Sequence, residues 1–319
     1  MMRLKSAQPR TFSQLLEVLK DNITDVLLHF HPDSIKIRSA DHAKTFIVYV
    51  NLHGNALEDY ACEKYQPVGI NMARLWTVLK FAAADDILQM DCEEGKGDLD
   101  IKIIDSETNK VKFKTSYITY GDFDEEALEF PENINFGSCI SMSSTRFYGD
   151  LKQLESLEAE YVKLRQCKSP SGGNRLRLIG IGSSYHKEPY IDIDEGTITT
   201  SEGKTKATGL ILNNDAAAAA ESSTGVLQEI EMVFPLKKLV QFAKAHCLDA
   251  NVGIHLDEKG FLILQYNIKI YGELRFVVAA TREDGDDDEL ESSSDSEEED
   301  DDDPATTGIN RKRARDDEE

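Results

Sequence analysis

Basic side chains recur on four stretches whose apolar residues have the spacing of short amphipathic helices. Residues 11–22, 71–84, 145–157 and 235–246 together carry a net charge of +4, whereas the whole chain of 319 residues carries −23. Lysine and arginine on a helix face bind phosphate groups without reading base edges, which is the chemistry of sequence-independent contact with a polyanion. Taken alone, the same pattern is also that of ordinary solvated helix faces. The basic residues concerned are Lys20, Arg74, Lys80, Arg146, Lys152, Lys237 and Lys244.

Each of these helices is followed by a strand, so one helix–strand unit occurs four times. The predicted helices are Phe12–Asp21, Met72–Lys80, Phe147–Leu154 and Leu236–Lys244. The strands predicted after them are Asp25–Leu28, Asp86–Met90, Tyr161–Leu164 and Val252–Leu256. Repeated units bury their apolar faces against one another, so we expect two halves that are pseudo-repeats.

The rest of the body has the period-2 alternation or the short apolar runs of β-strands. Further strands are predicted at Ser34–Ser39, Leu99–Ile103, Lys110–Lys114, Leu176–Ile179, Phe261–Tyr266 and Leu274–Val278. Few helices and many strands indicate an α+β protein whose sheets are covered on one side by helices.

Composition changes mark the expected boundaries along the chain. Residues 121–135 are acidic, contain a proline and lack a helical pattern, so they are predicted to link residues 1–120 to residues 136–282. Residues 283–319 hold nineteen acids and four bases, which account for −15 of the total charge. So acidic a segment with so few apolar residues is typical of a disordered tail.

Composition also excludes several classes of protein. No apolar run approaches the ~20 residues that a membrane-spanning helix needs, and no secretory h-region follows the first five residues. The five cysteines are scattered without a CxxC spacing, which indicates reduced thiols in the cytosol or nucleus. No arrangement of catalytic or metal-binding residues is recognisable, so neither an enzyme, a metal nor a cofactor is predicted.

Six ordered segments resemble the family of DNA sliding clamps called proliferating cell nuclear antigen. They are Leu16–Asp21, Ile37–Asp41, Gly69–Met72, Val78–Ala82, Asp122–Glu132 and Gly272–Ala279. The resemblance covers roughly residues 10–282. The pattern departs from the family at Ser13, Gln14 and Thr77, where lysines are usual.

The resemblance implies two clamp domains per chain, with antiparallel sheets outside and four helices inside a closed homotrimeric ring. Such a ring surrounds double-stranded DNA, serves as a processivity factor for DNA polymerase and is opened by a clamp-loader ATPase. The seven basic residues named above would then face the DNA.

The resemblance also implies a pocket under the connector for peptides called PIP boxes. Its residues would be Ala40, Thr45, Ile47, Phe123, Leu128, Phe130, Phe261, Val277 and Ala279. Ring closure would pair an edge strand at Lys110–Tyr117 with one at Gly209–Asn213, through Phe113, Tyr117, Leu210 and Leu212.

Two alternatives stay open from the sequence alone. A checkpoint-type clamp would assemble as a heterotrimer, and the acidic tail is also typical of a histone chaperone. The basic cluster Arg311, Lys312, Arg313 and Arg315 predicts nuclear import, although a large DNA virus could supply its own replication compartment.

Overall fold

Antiparallel pairing of strands organises almost the whole described chain. The computed structural model describes residues 1–41, 43, 45–93, 98–118, 139–168, 174–183, 187–194, 197–199, 205–207, 211–213, 230–257 and 260–281. The helices are α1 Pro9–Leu19, α2 Met72–Leu79, α3 Ser144–Ser156 and α4 Leu236–Ala243.

The strands of the first half are β1 Met2–Ser6, β2 Asp25–Phe30, β3 Ser34–Ala40, β4 Phe46–His53, β5 Asp59–Cys62, β6 Gln66–Asn71, β7 Ile87–Cys92, β8 Asp98–Ile104 and β9 Val111–Ile118. Those of the second half are β10 Cys139–Ser143, β11 Tyr161–Lys168, β12 Asn174–Ile181, β13 Tyr190–Asp194, β14 Thr197–Thr199, β15 Thr205–Ala207, β16 Ile211–Asn213, β17 Ile230–Pro235, β18 Asn251–Asp257, β19 Phe261–Asn267 and β20 Gly272–Ala279.

The two halves have the same strand order. In the first half the orders are β5-β1-β7-β8-β9 and β4-β3-β2-β6, and in the second they are β16-β10-β18-β19-β20 and β13-β12-β11-β17. Pairing of β20 with β4 joins two of these blocks into one nine-stranded sheet. The internal repetition expected from the helix–strand units is therefore present in the strand order, and residues 1–282 form one compact unit.

A glycine permits the close approach at this joint. Gly272 begins β20 with φ +150°, and a Cβ atom on it would lie 1.9 Å from the carbonyl oxygen of Asn51 in β4. Only a residue without a side chain can bring the two backbones together here.

The helices begin where local sequence satisfies their first backbone N–H groups. Asn71 accepts a hydrogen bond from the Arg74 N–H at 3.0 Å at the start of α2, and Ser143 caps α3 in the same way. Pro9 stands in the first turn of α1, where its missing N–H has no consequence. None of the helices in the described part of the chain has the length and apolar character that crossing a membrane requires.

Packing of aromatic rings fixes α4 to the nine-stranded sheet. The ring of Phe242 is fully buried, and its centroid lies 4.4 Å from that of Phe276 and 5.2 Å from that of Phe46. Because Phe46 belongs to the first half and Phe276 to the second, this helix binds both sides of the joint.

The four predicted helices and the strands after them are confirmed, with helix ends shifted by at most three residues and strand ends by at most four. The predicted strands at Ser34, Leu99, Lys110, Leu176, Phe261 and Leu274 are confirmed as β3, β8, β9, β12, β19 and β20. The strands β1, β4, β5, β6, β10, β13, β14, β15 and β17 were not predicted. The five residues of β1 do alternate, with Met2, Leu4 and Ser6 buried and Arg3 and Lys5 less so, but the run is short.

Replacing Phe242 with alanine should lower the free energy of unfolding by about 3–5 kcal/mol, because it leaves a cavity between two buried rings. Urea denaturation followed by circular dichroism measures this change. The control is Lys237→Ala on the exposed face of the same helix, for which a change within about 0.5 kcal/mol is expected. Equal losses for the two variants would contradict this account of the joint.

Candidate functional site

The seven basic residues of the helices differ in their exposure to solvent. Lys20 and Lys244 are half-buried at the ends of α1 and α4. The exposed members are Arg74, Lys80, Arg146, Lys152 and Lys237. Helices α1 and α2 pack together, α3 packs on α4, and α1 also contacts the 3-10 turn after α4, so the four helices form a connected layer.

A carboxylate lies between two of the lysines where the halves meet. Asp21 accepts a 2.8 Å hydrogen bond from the Nζ of Lys20 and another, also of 2.8 Å, from the Nζ of Lys244. These two bonds, from Lys20 first, lower the pKa of the Asp21 carboxyl below its ordinary value. The cluster holds two positive charges and one negative charge, so it keeps a positive excess.

Trp76, the only tryptophan in the chain, lies between lysines of two helices. The Nζ of Lys20 is 4.7 Å from the ring centroid of Trp76, and the Nζ of Lys80 is 5.0 Å from it. Cation–π attraction to an indole holds both ammonium groups near one place on the helix layer. This arrangement concentrates positive charge around the ring.

The basic residues of α3 lie close to acids of the same helix. Arg146 is 3.6 Å from the carboxylate of Asp150, and Lys152 forms an ion pair with Glu155. Burial raises the pKa of the Asp150 carboxyl despite the nearby guanidinium. A phosphate at α3 would have to compete with these acids, which agrees with the zero net charge of residues 145–157.

A second candidate surface lies on the face of the nine-stranded sheet opposite the helices. Ile47 of β4 pairs with Ala40 of β3 and with Val277 of β20, and Val277 pairs with Ile263 of β19. Ile47, Val277 and Ile263 form an apolar cluster with Tyr49, separate from the main core.

The remaining described pocket residues extend this cluster. Phe261 is 42% exposed and pairs with Ala279, whose N–H donates to the carbonyl oxygen of Thr45 at 3.1 Å. The Thr45 hydroxyl donates to Asp41, and together with the N–H of Phe46 it lowers the pKa of that carboxyl against the effect of burial. The structure thus brings together Ala40, Thr45, Ile47, Phe261, Val277 and Ala279.

Some predicted site residues are not among those that the structure describes. Phe123, Leu128 and Phe130 fall outside the described residues, as do Leu210 and the import cluster at 311–315. The prediction missed Ile263 and Tyr49 of the apolar cluster. Each is two positions from a residue that was chosen, so period-2 alternation along β19 and β4 could have identified both.

The outer strands are β5 and β9 in the five-stranded sheet, β13 and β17 in the four-stranded sheet, and β16 and β6 in the nine-stranded sheet. Phe113 of β9 is 44% exposed, and the Tyr117 hydroxyl donates to the carbonyl oxygen of Arg74 at 3.1 Å. Leu212 lies in β16, where it pairs with Ile140 of β10. Within the described ranges, no group of three or more His, Cys, Asp or Glu side chains is placed to hold a metal ion.

Comparison with known proteins points to one family. Residues 1–127 match the family profile described as proliferating cell nuclear antigen, N-terminal domain. A protein of Paramecium bursaria Chlorella virus 1, named as a probable DNA polymerase sliding clamp, is 26% identical over 281 residues, which cover 88% of this chain and 96% of the relative. The proliferating cell nuclear antigen of Chaetomium thermophilum is 24% identical over 281 residues, which cover 88% of this chain and 97% of that protein.

The Lys20–Asp21–Lys244 cluster should make stability depend on pH in the acid range. Because the pKa of Asp21 is lowered in the folded state, its contribution is complete above the ordinary carboxyl pKa and disappears as the pH falls through the folded value. At pH 7, Asp21→Asn should lower the free energy of unfolding by about 0.5–1 kcal/mol. The difference between the wild type and the variant should shrink as the pH falls below the ordinary carboxyl pKa.

Urea unfolding at several pH values measures this difference. Asp85→Asn, at an exposed loop position, is the control and should track the wild type at every pH. A difference between Asp21→Asn and wild type that persists unchanged at pH 2 would contradict the assignment.

Proposed function

We propose that this chain, which belongs to the proliferating cell nuclear antigen family of DNA sliding clamps, is a DNA polymerase processivity factor. In this proposal it assembles into a homotrimeric ring around double-stranded DNA and recruits replication and repair enzymes. The single observation that carries the proposal is the separation of charge: a connected layer of four helices whose segments together carry +4, on a chain whose net charge is −23. Charge of that sign on one surface attracts the phosphate backbone, while the acidic remainder repels it.

The helix layer supports contact with DNA that does not depend on sequence. Its exposed cations are long, flexible lysines and arginines, which suit phosphate oxygens rather than base edges. Several of them interact with acids or with Trp76. A phosphate contact at these residues therefore replaces an existing interaction and gains little free energy. Weak contacts of this kind let a closed ring slide.

The repeated strand order supports ring closure. Within the chain, β20 of the second half pairs with β4 of the first. The counterpart of β20 in the first half is β9, and the counterpart of β4 in the second half is β13. Both are edge strands. Pairing of β9 in one copy with β13 in the next would repeat the internal joint between chains and cover both edges.

The pairing registers specify the contact. When the registers are followed from strand to strand in each half, Phe113 occupies the position of Leu274. In the same way, Ile191 occupies the position of Val50. Leu274 and Val50 pair with each other and are fully buried, whereas Phe113 is exposed. We therefore place Phe113 opposite Ile191 of the next copy. We propose β13 as the partner strand in place of Gly209–Asn213. Most of Gly209–Asn213 is β16, which occupies the position of β5 in the repeat and not that of β4.

The apolar cluster on the outer face of the sheet supports peptide recruitment. Ile47, Val277, Ile263 and the exposed Phe261 offer a surface for aliphatic and aromatic anchors, which carry most of the affinity in such contacts. We assign PIP-box peptides to this surface, with residues 121–135 as the connector that completes it. Its face is opposite the helices, so partners and DNA would not compete for space.

The remaining assignments rest on family membership and on the sequence. We propose a clamp domain at residues 1–120, a second at 136–282 and a tail at 283–319 that carries the import cluster. A clamp-loader ATPase would open the ring, and the site of action would be the nucleus or a viral replication compartment. The chain would act as a scaffold, without catalysis of its own.

Native mass measurement tests the ring. Three chains of 35.7 kDa should give a species of about 107 kDa. Phe113→Asp should shift the mass toward one chain, because it buries a charge between paired strands. Tyr65→Asp is the matched control, since Tyr65 is an aromatic residue of similar exposure in the β5–β6 loop. A wild type that stays monomeric at all concentrations would favour a heterotrimeric clamp instead.

DNA binding is tested by reversing one exposed charge. Lys237→Glu places three negative groups in each ring and should weaken affinity for duplex DNA at low salt by about fivefold or more, whatever the sequence. Polymerase extension on primed DNA should shorten in parallel. Lys64→Glu, a reversal on a loop away from the helices, should leave both unchanged. Loss of affinity that is confined to certain sequences would contradict a phosphate contact.

A further inference from the structure

We propose that His246, held by Tyr148, is an additional phosphate-binding residue of the helix layer, and that it binds DNA only when its imidazole is protonated. The inference rests on the proposed function and deepens it, because it makes the contact with DNA depend on pH. Tyr148 belongs to α3, and His246 lies in the 3-10 turn Lys244–Cys247 that follows α4. Both side chains are half-buried.

The rings of Tyr148 and His246 are stacked where α3 contacts the turn after α4. Their centroids are 4.5 Å apart, and their planes are inclined by 12°. A neutral imidazole stacks on a phenol ring through ordinary aromatic packing, and an imidazolium is attracted to the negative face of that ring. Tyr148 therefore holds the imidazole in one orientation in either protonation state.

A hydrogen bond determines which ring nitrogen of His246 carries the proton in the neutral state. Nδ1 lies 3.1 Å from the carbonyl oxygen of Ala243. Because a carbonyl oxygen can only accept, Nδ1 donates and Nε2 keeps its lone pair. Among the described residues no group bonds to Nε2, which is in contact with solvent. An incoming ligand can therefore reach Nε2.

The chemistry of Nε2 decides what that ligand can be. A phosphate oxygen of DNA only accepts hydrogen bonds, and the neutral ring offers it a lone pair at Nε2 rather than a donor. Protonation places a hydrogen on Nε2 and a positive charge on the ring, so that a charge-assisted hydrogen bond to phosphate becomes possible. Each phosphate contact at His246 therefore requires the uptake of one proton from solvent.

Two further cations border the stack. Lys152 follows Tyr148 by four positions on α3, which places both side chains on one side of the helix, and the two interact electrostatically. Lys244 belongs to the same turn as His246 and reaches across to Asp21 of α1. A phosphate at Nε2 would therefore lie in the field of two ammonium groups as well as that of the imidazolium.

The acids near the turn come from α1, from α3 and from the loop that follows the turn. Glu17 of α1 faces the neighbouring Cys247, and its charge adds to the effect of burial in raising the pKa of that thiol. The other acids already have partners: Asp21, Asp150 and Glu155 pair with lysine or arginine, and Asp249 accepts from the N–H groups of Asn251 and Asn267. The charges around His246 are thus positive from Lys152 and Lys244 and negative from Glu17.

Fluorescence anisotropy with labelled duplex DNA tests the contact in the full-length chain. Imidazole side chains gain their proton between about pH 8 and pH 5, so affinity is measured at pH 8 and at pH 6 over a range of salt concentrations. Wild-type affinity at low salt should be about threefold or more higher at pH 6. The slope of log affinity against log salt should also be steeper at pH 6, by about 0.9 for each phosphate contact that is added.

Two substitutions of His246 separate the proton from the side chain. His246→Gln should lose most of the gain in affinity and in salt slope at pH 6, because glutamine does not change its charge with pH. His246→Lys carries a permanent charge, so its affinity should exceed that of the wild type at pH 8 and change little between the two pH values.

His53→Gln is the matched control. His53 is an exposed histidine at the end of β4, outside the helix layer, so this variant should keep the wild-type dependence on pH. Tyr148→Phe retains the stacked ring and should also behave as the wild type. Circular dichroism melting of each variant at both pH values separates a weakened contact with DNA from loss of folding.

The outcomes distinguish this inference from the proposed function. A wild type that binds no duplex DNA at either pH would overturn the proposed function and, with it, this inference. A folded His246→Gln variant that keeps the full gain at pH 6 would overturn the phosphate contact and leave the proposed function in place. An equal loss of the gain in His53→Gln would show that the gain reflects net charge alone, and would overturn the contact in the same way.

Discussion

Backbone hydrogen bonding between β4 and β20 is the interaction on which the rest of the described structure depends. Seven residue pairs, from Gly272 with Leu52 to Val278 with Phe46, join strands that are far apart in the sequence. One face of that joint holds α4 through Phe242, and the other carries the apolar cluster around Ile47. A strand that is paired on both sides has no exposed edge, so the joint also determines which edges remain for a partner.

Electrostatics and packing act at different places in the helix layer. Apolar residues on the inner faces of the helices attach them to the sheets, whereas the cations lie on the outer faces and at the helix ends. Asp21 moderates the charge where the halves meet, and Asp150 and Glu155 do so on α3. The charge is therefore graded along the layer: it is strongest at α2 and α4, zero over residues 145–157 and −1 over residues 11–22.

The sequence predicts local elements well because their signals are local. Helical spacing identified all four helices, and alternation identified most of the long strands. Pairing between distant strands has no such signal, so the sequence alone does not determine which strands form the edges of the sheets. The pocket residues could be named only through resemblance to a family, since Ala40 and Val277 look like core residues until β3, β4 and β20 are placed side by side.

The position of Trp76 gives the chain an optical reporter of its own. A single indole held between two ammonium groups makes the emission of the protein a signal from one place on the helix layer. Any anion that draws Lys20 or Lys80 away from the ring changes the electric field at that indole. Fluorescence titration can therefore follow anion binding on this surface without a label. Excitation that is selective for tryptophan keeps tyrosine emission out of the signal.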